Sequence, residues 1–141
     1  MSIFKAIQTQ HYRDKINKLS IGEPNLNIQL TTAQLGFGWL KKVDGIDVPD
    51  LSVIPVDQPI TSVPAHFKTV TPVLGYANGK LTVYIESNDF PAGTSHQYNT
   101  IAIMDGDGEA AYLLVGQPSY ISAERPLSVN ASFEQQLVTV E

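Results

Sequence analysis

Residues 98–118, YNTIAIMDGDGEAAYLLVGQP, constrain this chain more than any other stretch. Two apolar runs flank a polar turn. Ile101, Ile103 and Met104 precede it, Ala111, Leu113 and Val115 follow it, and Asp105-Gly106 and Asp107-Gly108 lie between. Asp-Gly pairs supply the positive φ angles that tight hairpin turns need. Alternation in both runs fits strands with one face buried. The stretch therefore predicts a hairpin central to a sheet, with the remaining strands packed beside it.

At 141 residues the chain is expected to form a single domain, 1–141, with enough apolar residues for a core that needs no staples. It has no cysteine, which excludes disulfides, thiolate chemistry and cysteine-type zinc sites. Residues 1–7 lack the pattern of a signal peptide, and no apolar run approaches the length of a membrane helix, so no membrane insertion is expected. The net charge is −5, and Lys80 and Arg125 are the only basic residues after position 70. That acidic half repels a nucleic-acid backbone, and no nucleic-acid partner is expected. Only 16% of residues are charged, a composition suited to an assembled structural protein.

In chain order, residues 8–19 are the helix candidate, with Tyr12, Ile16 and Leu19 on one stripe, Thr9 as the cap, and Gly22 and Pro24 as the stop. Arg13, Lys15 and Lys18 fall mostly off that stripe, and His11 beside it reads as structural or solvated. Residues 25–30 alternate as a short strand. Residues 31–40 read as a loop or a second short helix from Thr32, and the glycines of Gly36-Phe37-Gly38-Trp39 argue for the loop. Residues 43–64 carry Pro49, Pro55, Pro59 and Pro64, which exclude a continuous helix and disfavour a central strand. They are expected to form an extended arm, with a surface loop wrapping the monomer as the alternative. Their apolar residues suggest burial against a neighbouring subunit. Residues 66–75 read as a strand weakened by Pro72, Asn78-Gly79 as a turn, and 80–86 as the most regular strand. Residues 87–97 read as a loop and 118–126 as a break. Apolar stretches at 127–131 and 133–140 follow, with Leu137 and Val138 suggesting a terminal strand. The fold class expected is α+β: a mainly antiparallel β-sheet with an N-terminal helix and a long extended proline-rich arm.

The order of Tyr98, Ile101, Ile103, Asp105, Asp107, Gly108, Ala111, Leu113, Val115, Gly116, Pro118 and Tyr120 carries a resemblance. It resembles the N-terminal attachment domain of phage tail-collar fibre proteins, the fibre family of contractile-tailed phages and phage-like particles. The family's signature is an aromatic, a short polar link, an apolar run, D-x-D-G, a second apolar run, then Gly-x-x-Pro-x-Tyr or similar. Phe90-Pro91 and Gly93 resemble its preceding loop. Where the family has Arg-Glu-Ile-Gly-Leu, this chain has Asn99-Thr100-Ile101-Ala102-Ile103. The resemblance runs from about residue 25 to 140. It implies a virion structural protein of a phage or prophage tail, made in the bacterial host cytoplasm. It further implies a role in attaching a fibre to a baseplate protein, and self-association as a trimer. No heptad or internal repeat of a fibre shaft is present.

The sequence assigns no catalytic, cofactor-binding or metal-ligating residue. Asp105, Asp107 and Glu109 lie within five residues, but calcium takes six to eight oxygens, and the helix–loop–helix spacing is missing. The 105–108 and 78–79 segments are expected as exposed, metal-free turns. His11, His66 and His96 share no ligand spacing. Ser87, Ser95 and Ser119, with His96 near Asp89, make a Ser-His-Asp combination conceivable, but none lies in a nucleophile elbow. A small hydrolase is the remote alternative, and no enzymatic activity is expected. The nearer rival is a carbohydrate- or surface-binding β-module stacking sugar on Tyr98, Phe90, Tyr120 or Trp39.

Overall fold

The computed structural model describes residues 4–134. The fold is α+β, with an N-terminal helix and antiparallel sheets, as the sequence pattern predicts. Strand β1 (Phe4–Gln8) leads into helix α1 (Gln10–Ser20). Strands β2 (Leu30–Gly36), β3 (Leu40–Val43) and β4 (Ile46–Pro49) follow, then a 3-10 turn at Leu51–Val53. Next come β5 (Lys68–Val70), β6 (Val73–Ala77), β7 (Lys80–Ser87), β8 (Ser95–Asp105), β9 (Ala110–Ser122) and β10 (Leu127–Glu134). A five-stranded sheet has the order β1-β9-β8-β2-β5, a three-stranded sheet β10-β7-β6, and β3 and β4 form a separate hairpin.

The β8–β9 hairpin holds the middle of the larger sheet, with Ile101 opposite Leu114 and Ile103 opposite Tyr112. Its burial corrects the one-sided expectation. On one face Ile101, Ile103, Tyr112 and Leu114 pack with Val83, Ile85 and Leu127 of the smaller sheet. On the other, Ala102, Met104, Leu113 and Val115 pack with Ile54, Ile60 and Val63. These last three belong to the proline-rich segment, which packs on its own chain there, as the surface-loop alternative expects. It wraps its own sheet, starting as the β3–β4 hairpin and then lying flat across β8 and β9. Backbone bonds fix the wrap: the Ala110 N–H donates to Ile60 O at 2.8 Å, and the His11 N–H to Val56 O at 3.0 Å. The prolines leave the segment few donors for a ladder, so it packs by side chains.

Other boundaries move for identifiable reasons. Helix α1 starts at Gln10 rather than residue 8, because Phe4–Gln8 pairs with β9. Thr9 caps it as expected, its hydroxyl accepting from the Tyr12 N–H at 3.1 Å and donating to Ala110 O at 2.9 Å. Residues 25–29 form no strand, and Asn25 has a φ of 67°. Asn27 uses its N–H on Asp107 and its side-chain oxygen on the Gln29 N–H, so neither group serves a ladder. The strand is β2, inside the stretch read as a loop. Gly36 ends it because a Cβ there would strike the Pro64 carbonyl, a close approach rather than a turn. Residues 66–75 are two strands: after Thr71-Pro72 the chain leaves the larger sheet for the smaller. The Asn78-Gly79 turn is present, with φ of 54° and 76°. Residues 118–122 continue β9 instead of breaking it. Pro118 sits in a register shift, between the Tyr98–Ser119 and Thr100–Val115 pairs, where no ladder donor is required. The terminal strand expected at Leu137 and Val138 lies outside the described residues.

Candidate functional site

The densest group of ionisable side chains joins α1 to the β8–β9 turn. His11 and Lys15, one helical turn apart, face Asp105, Asp107 and Glu109. Lys15 Nζ donates to Asp105 Oδ2 at 2.7 Å and to Asp107 Oδ2 at 3.0 Å, and it also contacts Glu109 Oε1. His11 Nε2 lies 3.1 Å from the same Glu109 oxygen. The Lys15 and Asp105 side chains are 4% and 1% exposed, against 32% for Asp107 and 19% for Glu109.

Backbone geometry builds this group. Asp105 Oδ1 accepts from the N–H groups of Asp107 at 3.0 Å and Glu109 at 3.1 Å, folding the turn around its own carboxylate. The Asn27 N–H adds a bond to Asp107 Oδ2 at 3.0 Å. A Cβ at Gly106 would displace the Asn27 side chain, and Gly108 suits its φ of 76°.

One expectation is corrected here: Asp105 is buried rather than part of an exposed turn, and Lys15, off the apolar stripe, is buried with it. Periodicity assigned Lys15 to the helix's polar side without showing that side facing the acidic turn.

The electrostatics favour the ionised forms. Burial opposes the Lys15 charge, but hydrogen bonds to Asp105, Glu109 and Asp107 outweigh it and hold the ammonium above the usual lysine range. Burial likewise opposes the Glu109 charge, yet Lys15 and His11 hold its carboxyl below the ordinary value. The Asn27 N–H, then Lys15, hold Asp107 low. Burial pushes the Tyr12 phenol up to about 12. An ammonium kept protonated is a poor base or nucleophile, and carboxyls kept ionised are poor acids, so this constellation suits fastening better than proton transfer. Ligand atoms of Asp105, Asp107 and Glu109 converge within 4.8 Å. Lys15 Nζ already bonds all three carboxylates, and a divalent cation would have to displace it.

Asn99 is fully buried. Its side chain accepts from the Gly38 N–H at 2.8 Å and donates to Gly38 O at 2.8 Å and Gly116 O at 3.2 Å. It thereby ties the 37–39 loop to the irregular part of β9. No sequence pattern marked it, because its partners are distant backbone groups.

The histidines and serines do not converge. His66 Nε2 bonds Lys68 O at 3.1 Å and Thr69 Oγ1 at 2.8 Å. The His96 ring stacks on Phe67 with centroids 4.6 Å apart. Ser87 Oγ is buried, with no hydrogen-bond partner among the described residues. Among the rings considered for sugar stacking, Tyr98 and Phe90 are buried, Trp39 is half-buried against the proline-rich segment, and Tyr120 is exposed. Two clefts border the smaller sheet. One of about 1170 Å³ is lined by Tyr12, Arg13, Ile16, Tyr76, Leu81 and Phe133 among others, and one of about 620 Å³ lies between Phe4, Leu114 and Val129. No described helix is long and apolar enough to cross a membrane. Compared with protein-family models, curated proteins and solved structures, the chain finds no match.

Proposed function

We propose that this protein is a non-catalytic structural component of a phage or prophage tail that attaches a fibre to the baseplate. The observation that carries the proposal is the ordered run along β8 and β9: aromatic, apolar, Asp-x-Asp-Gly, apolar, then Gly, Pro and Tyr. That run forms the doubly covered centre of the fold, and its turn is fastened to α1 through Lys15. A hairpin held this rigidly suits a part that transmits load between larger bodies. Ile54, Ile60 and Val63 of the proline-rich segment are buried at home and offer a partner no apolar surface. Exposed apolar side chains lie instead on β6 and around the β3–β4 hairpin, including Val73, Tyr76 and Ile46.

The test fractionates tail particles from an induced lysate and cross-links them. The expected result is co-sedimentation of this chain with tails and a cross-link to a baseplate protein identified by mass spectrometry. The chain confined to the free fraction, together with a glycan-array signal abolished by Tyr120→Ala, would overturn attachment in favour of sugar binding.

A further inference from the structure

Among the described residues, strand β6 is an edge of the three-stranded sheet, and all five of its residues are exposed. Protein edges are ordinarily guarded by charge, proline or shortness. Edges β1, β3, β4 and β5 follow that rule: β1 carries Lys5, β5 is three residues long with Lys68, β3 carries Lys41 and Lys42, and β4 carries Asp47. Strand β6, VLGYA, has no charge, no internal proline and no register shift against β7.

Its side chains are unusual too. Leu74 and Tyr76 pair with Val83 and Leu81, whose side of the sheet faces the main core. Yet Leu74 is 39% and Tyr76 76% exposed, because the sheet overhangs the larger cleft at that corner. On the opposite side Val73 is 67% exposed.

We propose that β6 pairs with β6 of a second copy of this chain, antiparallel, about a two-fold axis at Gly75. The register follows from the hairpin. Ala77 and Lys80 flank a two-residue turn and form its hydrogen-bonded pair, so Ala77, Gly75 and Val73 direct their backbone groups to β7. Leu74 and Tyr76 present theirs at the free edge. A two-fold axis at Gly75 sets Leu74 opposite the partner's Tyr76, so the outward donors and acceptors meet reciprocally. Gly75 faces the partner's Gly75 in a close non-hydrogen-bonded pair, and Val73 faces the partner's Ala77. Each tyrosine ring lies beside a leucine, a favourable cross-strand combination. No charge of like sign is brought together along the paired strands. Five residues a side make a small interface, so the association is weak and concentration-dependent. The inference does not rest on the attachment reading.

Sedimentation from roughly 10 μM to 1 mM spans the affinity range of such a contact. The wild-type chain is expected to move from monomer to dimer, and Leu74→Lys to stay monomeric. The chain lacks cysteine, so single cysteines report register. Gly75→Cys is made with Thr82→Ala, because a Cβ at Gly75 would crowd the Thr82 hydroxyl. The two Cα atoms at the axis lie about 4.5 Å apart, within disulfide reach. Val73→Cys is the control, its two copies about 14 Å apart in the same pairing. A covalent dimer through position 75 and none through 73 supports the proposal. A wild-type mass that stays monomeric throughout overturns it, as does equal cross-linking at 73 and 75. A trimer in which the cysteine at position 75 stays reduced also overturns it.

Discussion

Replacing Lys15 with methionine tests whether the helix-to-turn cluster stabilises the fold. Methionine keeps most of the buried hydrocarbon and removes the ammonium. Asp107 and Glu109, at 32% and 19% exposure, can recover water, but Asp105, at 1%, cannot. Breaking a buried pair by removing one partner costs roughly 3–5 kcal/mol. Asp105 Oδ1 keeps both backbone N–H bonds in the variant, which favours the low end, about 3 kcal/mol. In urea denaturation that cost lowers the midpoint by roughly 2 M at an unchanged slope. Adding Asp105→Asn removes the stranded charge, and the double variant should recover at least about 1 kcal/mol over Lys15→Met. A single-variant loss under about 1 kcal/mol, or a double variant no better than the single, would refute the claim that burial of Asp105 sets the cost.

The pH dependence follows from the same bonds. Glu109 and Asp107 have depressed folded values, so their contribution is present above the ordinary carboxylate range and is lost as pH falls through the folded values. The Lys15 value is raised, so its contribution is present below the ordinary lysine range and is lost only as pH rises beyond it. Between those limits the contributions of Lys15, Asp107 and Glu109 are flat. In acid titrations followed by circular dichroism, Lys15→Met should show a shallower stability loss than the wild type.

Further substitutions probe other parts of the fold. Gly79→Val meets no atom within 4 Å but must adopt a φ of 76°, so equilibrium unfolding should show a loss of roughly 1–3 kcal/mol from backbone strain alone. Asn99→Ala leaves the Gly38 N–H and O and the Gly116 O without their side-chain partner, and a loss of roughly 2–4 kcal/mol is expected by the same assay. Ile60→Ala opens the second core, and the isolated chain should lose about 2–4 kcal/mol. If the proline-rich segment were instead covered by a partner, purified monomer would tolerate that change with little effect.

What could be read ahead of the structure follows the range of the interactions. Asn78-Gly79, the alternation of β7, the Thr9 cap and the β8–β9 hairpin all depend on residues adjacent in sequence, and local chemistry determined them. Strand β1 and the Lys15 cluster depend on pairings across about a hundred positions, which spacing cannot report. The readings of the hairpin and of residues 43–64 have one cause. A strand buried on one face needs no second cover, so wrapping of the proline-rich stretch on its own chain stood only as the alternative to an extended arm. The runs themselves held a contrary signal. Ala102, Met104 and Leu114 fill the positions between the alternating residues, leaving each strand apolar on both sides. Two apolar faces require two covers. The smaller sheet supplies one, and Ile54, Ile60 and Val63 are the apolar residues near enough, along a chain otherwise committed to strands, to supply the other. With those residues placed, five of the eight large apolar side chains left exposed among the described residues, Val43, Ile46, Val73, Leu74 and Tyr76, lie on β6 or at the β3–β4 hairpin.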